Sequence, residues 1–230
     1  VGRPGWHIEC SAMSRKYLGK TIDIHAGGAD LIFPHHENEI AQSECANGCK
    51  FVNYWLHNGF VTINKEKMSK SLGNFLTIDD LLKKYDANTI RFFILTNHYR
   101  MPVEFSDEAL SSAASGVKRM LNAKRTQVDE AFDIAKTDAY KEFVEAMDDD
   151  LNTSRALAVL FDLTNRANKG EEGAFTTLYK LAGILGFSFE RATLSQEELA
   201  KVVERVSEKL GENFTSMDEI LAYRKKARDE

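Results

Sequence analysis

His35 and Glu39 stand four residues apart, a spacing that places an imidazole and a carboxylate on one face of a helix, one turn from each other. Such a pair is often only a surface hydrogen bond, but it is also a metal-ligand spacing. Cys10, farther upstream, can complete a Cys/His/Glu set, and a thiolate beside an imidazole and a carboxylate favours Zn²⁺ over Ca²⁺ or Mg²⁺. Three donors leave a tetrahedral site one ligand short. Cys45 and Cys49 repeat the i,i+4 spacing, yet Gly48 lies between them where a helix should be ending, so free thiols are the better reading there.

Two further stretches carry chemistry. Gly27-Gly28-Ala29-Asp30 follows a β-rich run and permits close backbone approach to a nucleotide, with Asp30 able to accept from ribose hydroxyls; a strand-to-helix turn of this kind also exists without any ligand. Lys65-Glu66-Lys67-Met68-Ser69-Lys70-Ser71-Leu72-Gly73-Asn74 clusters ammonium groups, small hydroxyls and a glycine, a composition suited to phosphate. Within it, Lys67-Met68-Ser69-Lys70-Ser71 is identical to the second signature of class I aminoacyl-tRNA synthetases, which makes a plain solvated turn the poorer reading.

The elements that must position these residues alternate. Thr21–His25 reads as a strand, Pro34 opens a helix through about Cys45 that Asn47-Gly48 stops, and Trp55–Ile63 reads as a second strand-like run. Ile78–Tyr85 and Ala87–Thr96 read as helices. This alternation predicts an α/β fold with a parallel sheet, whose ligands sit at the carboxyl ends of the strands. After Pro102 the pattern is helical throughout: Ser106 caps a helix with Leu110, Ala113, Val117 and Met120 on one face, Asn152-Thr153-Ser154 resets a cap before Ala156–Leu163, and Leu178–Leu185 and Leu199–Leu210 end at Gly186 and Gly211. An all-α antiparallel bundle is expected there. Asp148-Asp149-Asp150 reads as a solvated turn rather than a metal site, because three successive acids on a helix point in three directions.

Composition bounds the rest. The 230 residues are 43% hydrophobic and 28% charged, which excludes a disordered or fibrous chain, and three cysteines make no disulfide framework. No apolar run is long enough to span a membrane and no signal-peptide pattern opens the chain, so a cytoplasmic location is expected. All six His, all three Pro, all three Cys and both Trp lie between Pro4 and Pro102. Residues 1–100 carry 12 basic and 10 acidic groups, whereas the remainder carries 18 and 25; the net charge of −5 is thus unevenly divided. A boundary near residue 102 follows.

Taken together, Gly5-Trp6-His7-Ile8-Glu9-Cys10-Ser11-Ala12-Met13, His25-Ala26-Gly27-Gly28-Ala29-Asp30-Leu31 and Phe33-Pro34-His35-His36-Glu37-Asn38-Glu39 closely resemble the bacterial cysteinyl-tRNA synthetases. The likeness runs from Gly2 to about Arg100 and continues more loosely through Met147-Asp148-Asp149-Asp150-Leu151-Asn152-Thr153. The resemblance implies that 1–64 is the second half of a Rossmann-type catalytic domain, that 65–102 holds the signature loop and stem-contact region, and that 103–230 is a helical bundle meeting the anticodon arm. It further implies truncation at both ends, a missing N-terminal half with its own signature and a fourth zinc cysteine, and hence a fragment inactive by itself.

The same resemblance implies the roles. Cys10, His35 and Glu39 hold a Zn²⁺ that selects the thiol of L-cysteine; Lys67 and Lys70 stabilise the departing pyrophosphate of ATP, which is accompanied by Mg²⁺, with Lys70 contacting ATP directly. Gly27, Gly28 and Asp30 face the nucleotide, and Trp6 and His25 line the cysteine pocket. From the residues alone, Trp6 can equally be loop packing and His25 a hydrogen-bonded core histidine. Lys118, Arg119, Lys124 and Arg125 are compatible with tRNA phosphates or with an exposed helix face. The implied protein is a monomeric ligase acting on cysteine-specific tRNA. The alternatives are a related ligase joining cysteine to an amino sugar, and a non-catalytic RNA-binding paralogue.

Overall fold

The computed structural model describes residues 5–63, 66–68, 77–189 and 196–229, with the backbone alone at 66–67, 196–198 and 228–229. Two units result, Val1–Ser188 and Phe189–Glu230.

The first unit opens with α1 (His7–Leu18), followed by β1 (Ile22–Gly28), α2 (Glu37–Asn47) and β2 (Val52–Asn58). Strands β1 and β2 pair in parallel, from Ile22 opposite Val52 to Gly28 opposite Asn58. Ile22, Phe51 and Val52 form a buried cluster against which Ile40 of α2 and Trp55 pack, so the helix seals one face of the pair. Cross-strand neighbours Ile24 and Tyr54, one pair farther along, stay 63% and 69% exposed.

Three local features differ from the sequence expectation. The helix α1 appears where none was assigned, because its exposed positions include Ile8, Met13, Tyr17 and Leu18, and its apolar residues therefore mark no buried stripe. The regular part of α2 begins at Glu37 rather than at Pro34. Phe33, as the residue before a proline, is held extended at φ −133° and ψ 133°, and the chain passes through a wide helical turn over Ile32–His36 first. The strand-like run Trp55–Ile63 is two strands, β2 and β3 (Val61–Ile63), separated at Gly59-Phe60.

β3 pairs antiparallel with β4 (Glu66–Lys67) and parallel with β5 (Val103–Glu104). Between them come the two expected helices, α3 (Ile78–Leu82), which stops three residues before the expected Tyr85, and α4 (Ala87–Leu95), capped by Thr77 and Asp86. Four helices follow: α5 (Asp107–Leu121), α6 (Asp138–Asp148), α7 (Thr153–Asn168) and α8 (Ala174–Ile184). Ser106, Thr137 and Asn152 each accept a backbone N–H in the first turn of their helix, while Gly173 starts α8 in the left-handed region at φ 72°. Leu110, Met120, Leu160, Leu163, Leu178 and Leu181 make the buried core of this region. In the second unit, α9 (Gln196–Leu210) ends at left-handed Gly211, and in α10 (Met217–Asp229) Tyr223 meets the Phe214 ring edge-on at 5.3 Å.

Asp150 is more than a solvated acid. At the turn between α6 and α7 it adopts φ 52°, followed by Leu151 at φ 56°, and its carboxylate accepts from Arg100 Nε at 2.6 Å and Tyr99 Oη at 2.7 Å. Tyr99 in turn accepts from Gly59 N at 2.8 Å through its carbonyl. The turn is therefore tied through residues 99–100 to the end of β2. The hydrogen bonds from Arg100 and then Tyr99 hold the Asp150 carboxyl down at about 2, below its ordinary 3.8. A depressed carboxylate stabilises the fold fully above pH about 4 and loses that contribution as pH falls toward 2. We expect Asp150→Asn to flatten the acid limb of a stability-versus-pH curve in that window, measured by urea unfolding of the 230-residue chain; an unchanged acid limb would exclude the tie.

Candidate metal centre

α1 and α2 lie side by side, and each presents one face to the other. On α1, His7, Cys10 and Ser11 share a face at i, i+3, i+4 spacing. Ser11 donates to Gln42 Oε1 of α2 at 2.7 Å, locking the helices in register. On α2, Glu39 is turned inward with a relative exposure of 0%. Cys10, His35 and Glu39, dispersed in sequence, bring Sγ, a ring nitrogen and a carboxylate oxygen within 4.8 Å of one another.

Glu39 is the centre of this arrangement. Its Oε2 lies 2.6 Å from His25 Nε2 of β1, a hydrogen bond from strand to helix. Its Oε1 lies 2.5 Å from His35 Nε2, yet among the described residues no donor reaches it in hydrogen-bonding geometry, so a fully buried carboxylate oxygen is left without a hydrogen-bond donor. An unpaired buried carboxylate oxygen is costly, and a cation satisfies it. His35 is well placed to share that cation. Its Nδ1 is engaged by His7 Nδ1 at 2.6 Å and its ring is stacked by Trp6 at 3.8 Å, which fixes the orientation of Nε2 toward Glu39. The donor set thus fits Zn²⁺ on this chain's own residues.

The electrostatics agree. Burial, then the negative charges of Glu39 and Glu9, push the Cys10 thiol above its ordinary 9.0, so it stays protonated near neutral pH unless a cation draws off the proton. His36 is pulled down to about 4, first by burial and then by His25, and is neutral at physiological pH. Burial, followed by Arg100, lowers His57. Burial thus favours the neutral form at His36 and His57, and only a neutral ring can ligate a metal.

The remaining sequence-predicted residues fall as follows. Trp6 is stacked on His35, with 55% of its surface exposed, and His25 is both bonded to Glu39 and partly exposed beside Trp55. Gly27 is the second-last residue of β1, where a Cβ would stand 2.9 Å from His36 Cε1, and a Cβ on Gly28, the last, would meet the Asp30 carboxylate; Asp30 itself is exposed in the turn after β1. Lys67 belongs to β4 through its backbone, whereas Lys70 lies outside the described residues. Cys45 and Cys49 are exposed free thiols. Sequence reasoning passed over His7, His36 and His57 as site residues. The available signal was the confinement of all six histidines to the first 98 positions.

Residues 1–115, half of the chain, match the family described as the class I (C) tRNA synthetase catalytic domain. The chain belongs to that synthetase family. Residues 142–190 match the DALR domain, which falls on α6 to α8. A relative from Laribacter hongkongensis named cysteine–tRNA ligase is 56% identical over 188 residues, covering 80% of this chain and 41% of its own length. One of the same name from Shouchella clausii is 48% identical over 243 residues, covering 95% and 52%. The chain thus spans about half the length of these curated relatives. Among solved structures, the LeuRS–tRNA–LeuAMS ternary complex of Agrobacterium radiobacter K84 superposes with a TM-score of 0.51 at 16% identity, over 73% of this chain and 27% of that one, a likeness of fold. Among the described residues no helix is long and apolar enough to cross a membrane.

Proposed function

We propose that this chain forms part of a cysteine–tRNA ligase, in which L-cysteine is activated with ATP and Mg²⁺ and transferred to the terminal ribose of cysteine-specific tRNA. The observation that carries this reading is the meeting of Cys10, His35 and Glu39 around a buried carboxylate oxygen that lacks a donor. When bound, Zn²⁺ supplies a soft Lewis-acid centre that favours a thiolate over the harder, less acidic hydroxyl of serine. Pocket shape alone separates such near-isosteres by modest factors.

The chain's own residues then divide the work. Cys10, His35 and Glu39 hold the cation, His7 and Trp6 keep the His35 ring oriented, and His25 steadies Glu39 from β1. Trp6 and His25, both with exposed surface, line the cysteine pocket. Gly27, Gly28 and Asp30, at the carboxyl end of β1, receive the nucleotide, as expected for a parallel strand pair. Lys67 and Lys70 place positive charge on the pyrophosphate as it departs, an effect strongest where water is excluded.

In this reading the β1–β2 pair with α1 and α2 is the second half of a Rossmann-type sheet, residues 65–102 contact the acceptor stem, and 103–230 is an antiparallel bundle for the anticodon arm. The protein works as a cytoplasmic monomer. The intact motif residues favour this ligase over an RNA-binding paralogue, and the DALR match favours it over a cysteine–amino sugar ligase.

Two measurements test it. The 230-residue chain loaded with Co²⁺ should show a sulfur-to-cobalt charge-transfer band that Cys10→Ser abolishes; a band that persists in the variant would remove Cys10 from the site. Embedded in a chain of the relatives' full length, the sequence should support cysteine-dependent pyrophosphate exchange and charging of cysteine-specific tRNA. Cys10→Ser should there reduce the preference for cysteine over serine by at least about tenfold. Unchanged preference, or no exchange with cysteine, defeats the reading.

A further inference from the structure

Glu39 faces two histidine groups. Its Oε1 is directed at His35, on the Cys10 side, and its Oε2 at His25, on the strand side. On that second side, ring nitrogens of His25 and His36 and a Glu39 oxygen also come within 4.8 Å of one another. We infer that Glu39 serves two overlapping ligand sets, and that His25, His36 and Glu39 form a second position for a borderline divalent cation, built from nitrogen and oxygen donors alone. The inference shares Glu39 with the function proposed above but does not need Cys10.

The geometry of His36 carries the argument. The ring is buried, and its Nδ1 is joined to His57 Nε2 at 2.8 Å, the outer-partner arrangement that sets tautomer and orientation in ligating histidines. Its other nitrogen, Nε2, is aimed at β1. There Gly27 has no side chain, and a Cβ built on it would stand 3.2 Å from Nε2 and 2.9 Å from Cε1. His25 and Gly27 are two residues apart and so share a face of the strand. The His36 ring therefore packs directly on Gly27, which holds it beside the His25 ring, 4.8 Å away between centroids, and near the buried carboxylate of Glu39.

Two imidazoles and a carboxylate are a ligand set with the softness and valence for Zn²⁺, Co²⁺ or Ni²⁺, and too rich in nitrogen for Ca²⁺ or Mg²⁺. Partial exposure of His25 gives the ion a path in. Two divalent ions on opposite oxygens of one carboxylate repel each other with no second anion between them, so the sets are filled one at a time. A cation displaced from the thiolate side has a nitrogen and oxygen site to occupy without leaving the chain.

The test is Co²⁺ binding to the 230-residue chain, followed by equilibrium dialysis and absorption, with far-ultraviolet circular dichroism to verify folding. Wild type should bind about one equivalent with a sulfur-to-cobalt band. Cys10→Ser should still bind about one equivalent, with visible ligand-field bands and no sulfur band. Adding His36→Gln, or independently Gly27→Ala, to Cys10→Ser should weaken that residual binding at least about tenfold, whereas Gly27→Ala alone should keep the sulfur band. If His36→Gln disturbs folding, His25→Gln and Gly27→Ala carry the same comparison. No cobalt in Cys10→Ser, or residual binding indifferent to His36, His25 and Gly27, overturns the inference and leaves the Cys10 site standing. Cobalt in wild type without a sulfur band, but sensitive to His36, does the reverse.

Discussion

Glu39→Gln should lower the affinity of this chain for Zn²⁺ or Co²⁺ by more than about 100-fold, beyond the effect typical of losing an outer-shell partner. The reason is geometric. Both oxygens of a fully buried carboxylate are committed, one to His25 and the other toward His35, where no donor satisfies it. An amide of the same shape keeps a carbonyl for one neighbour and presents an N–H₂ that donates to the other. Metal-free stability should then stay within about 1 kcal/mol of wild type, since one unsatisfied acceptor is replaced by a satisfied donor. Glu39→Ala, which removes the bridge between α2 and β1, should instead destabilise the metal-free chain by on the order of 3 kcal/mol. Isothermal titration with the metal and urea melts without it separate these effects. If Glu39→Gln bound metal like wild type, the donor set would be wrong whatever the fold did.

Gly59→Ala is expected to have the largest effect outside the metal centre. Gly59 lies between β2 and β3, and a Cβ there would overlap the carbonyl of Met101 and the nitrogen of Pro102. These are backbone atoms and cannot rotate away. The strap they belong to is held on both sides, by Asp150 at Arg100 and by Val103 N donating to Phe60 O at 2.8 Å. Relief of the overlap must displace the strap from the end of β2 and disturb the β3–β5 pairing. Overpacking of this kind costs about 2–3 kcal/mol, or about 4–10 °C in Tm for a chain of this size. Hydrogen exchange should report it locally, with faster exchange at the amides of Val103 and Phe105, which bond to Phe60 and Thr62. Wild-type Tm together with wild-type protection at those two amides would show that the strap has room to yield.

Much of this was legible in the chain. The caps at Ser106 and Asn152, the stops at Gly48 and Gly211 and the helices after Ile78 follow from local rules in which each residue answers to neighbours three or four positions away. The i,i+4 pair His35 and Glu39 is of the same kind, and it survives even though the regular helix starts only at Glu37, because the wide turn before it keeps the two side chains on one side. α1 escaped because a helix whose exposed positions include large apolar residues has no stripe to read.

Residue types and spacing by themselves carried the alternation of strands and helices from Thr21 to Pro102, the helical remainder, the synthetase signature and the His35–Glu39 spacing with Cys10 as a candidate third donor. Tertiary structure alone decided how those donors are supported. His25 reaches Glu39 from a strand 14 residues away, His7 reaches His35 from another helix, and His36 fills the space that Gly27 leaves. Asp150, in a run of three acids that local reasoning assigns to solvent, finds Arg100 fifty residues earlier. No periodicity encodes such partners. They exist because packing α2 between α1 and the β1–β2 pair excludes water from one carboxylate, and a buried charge must then be met by whatever side chains the fold brings within reach.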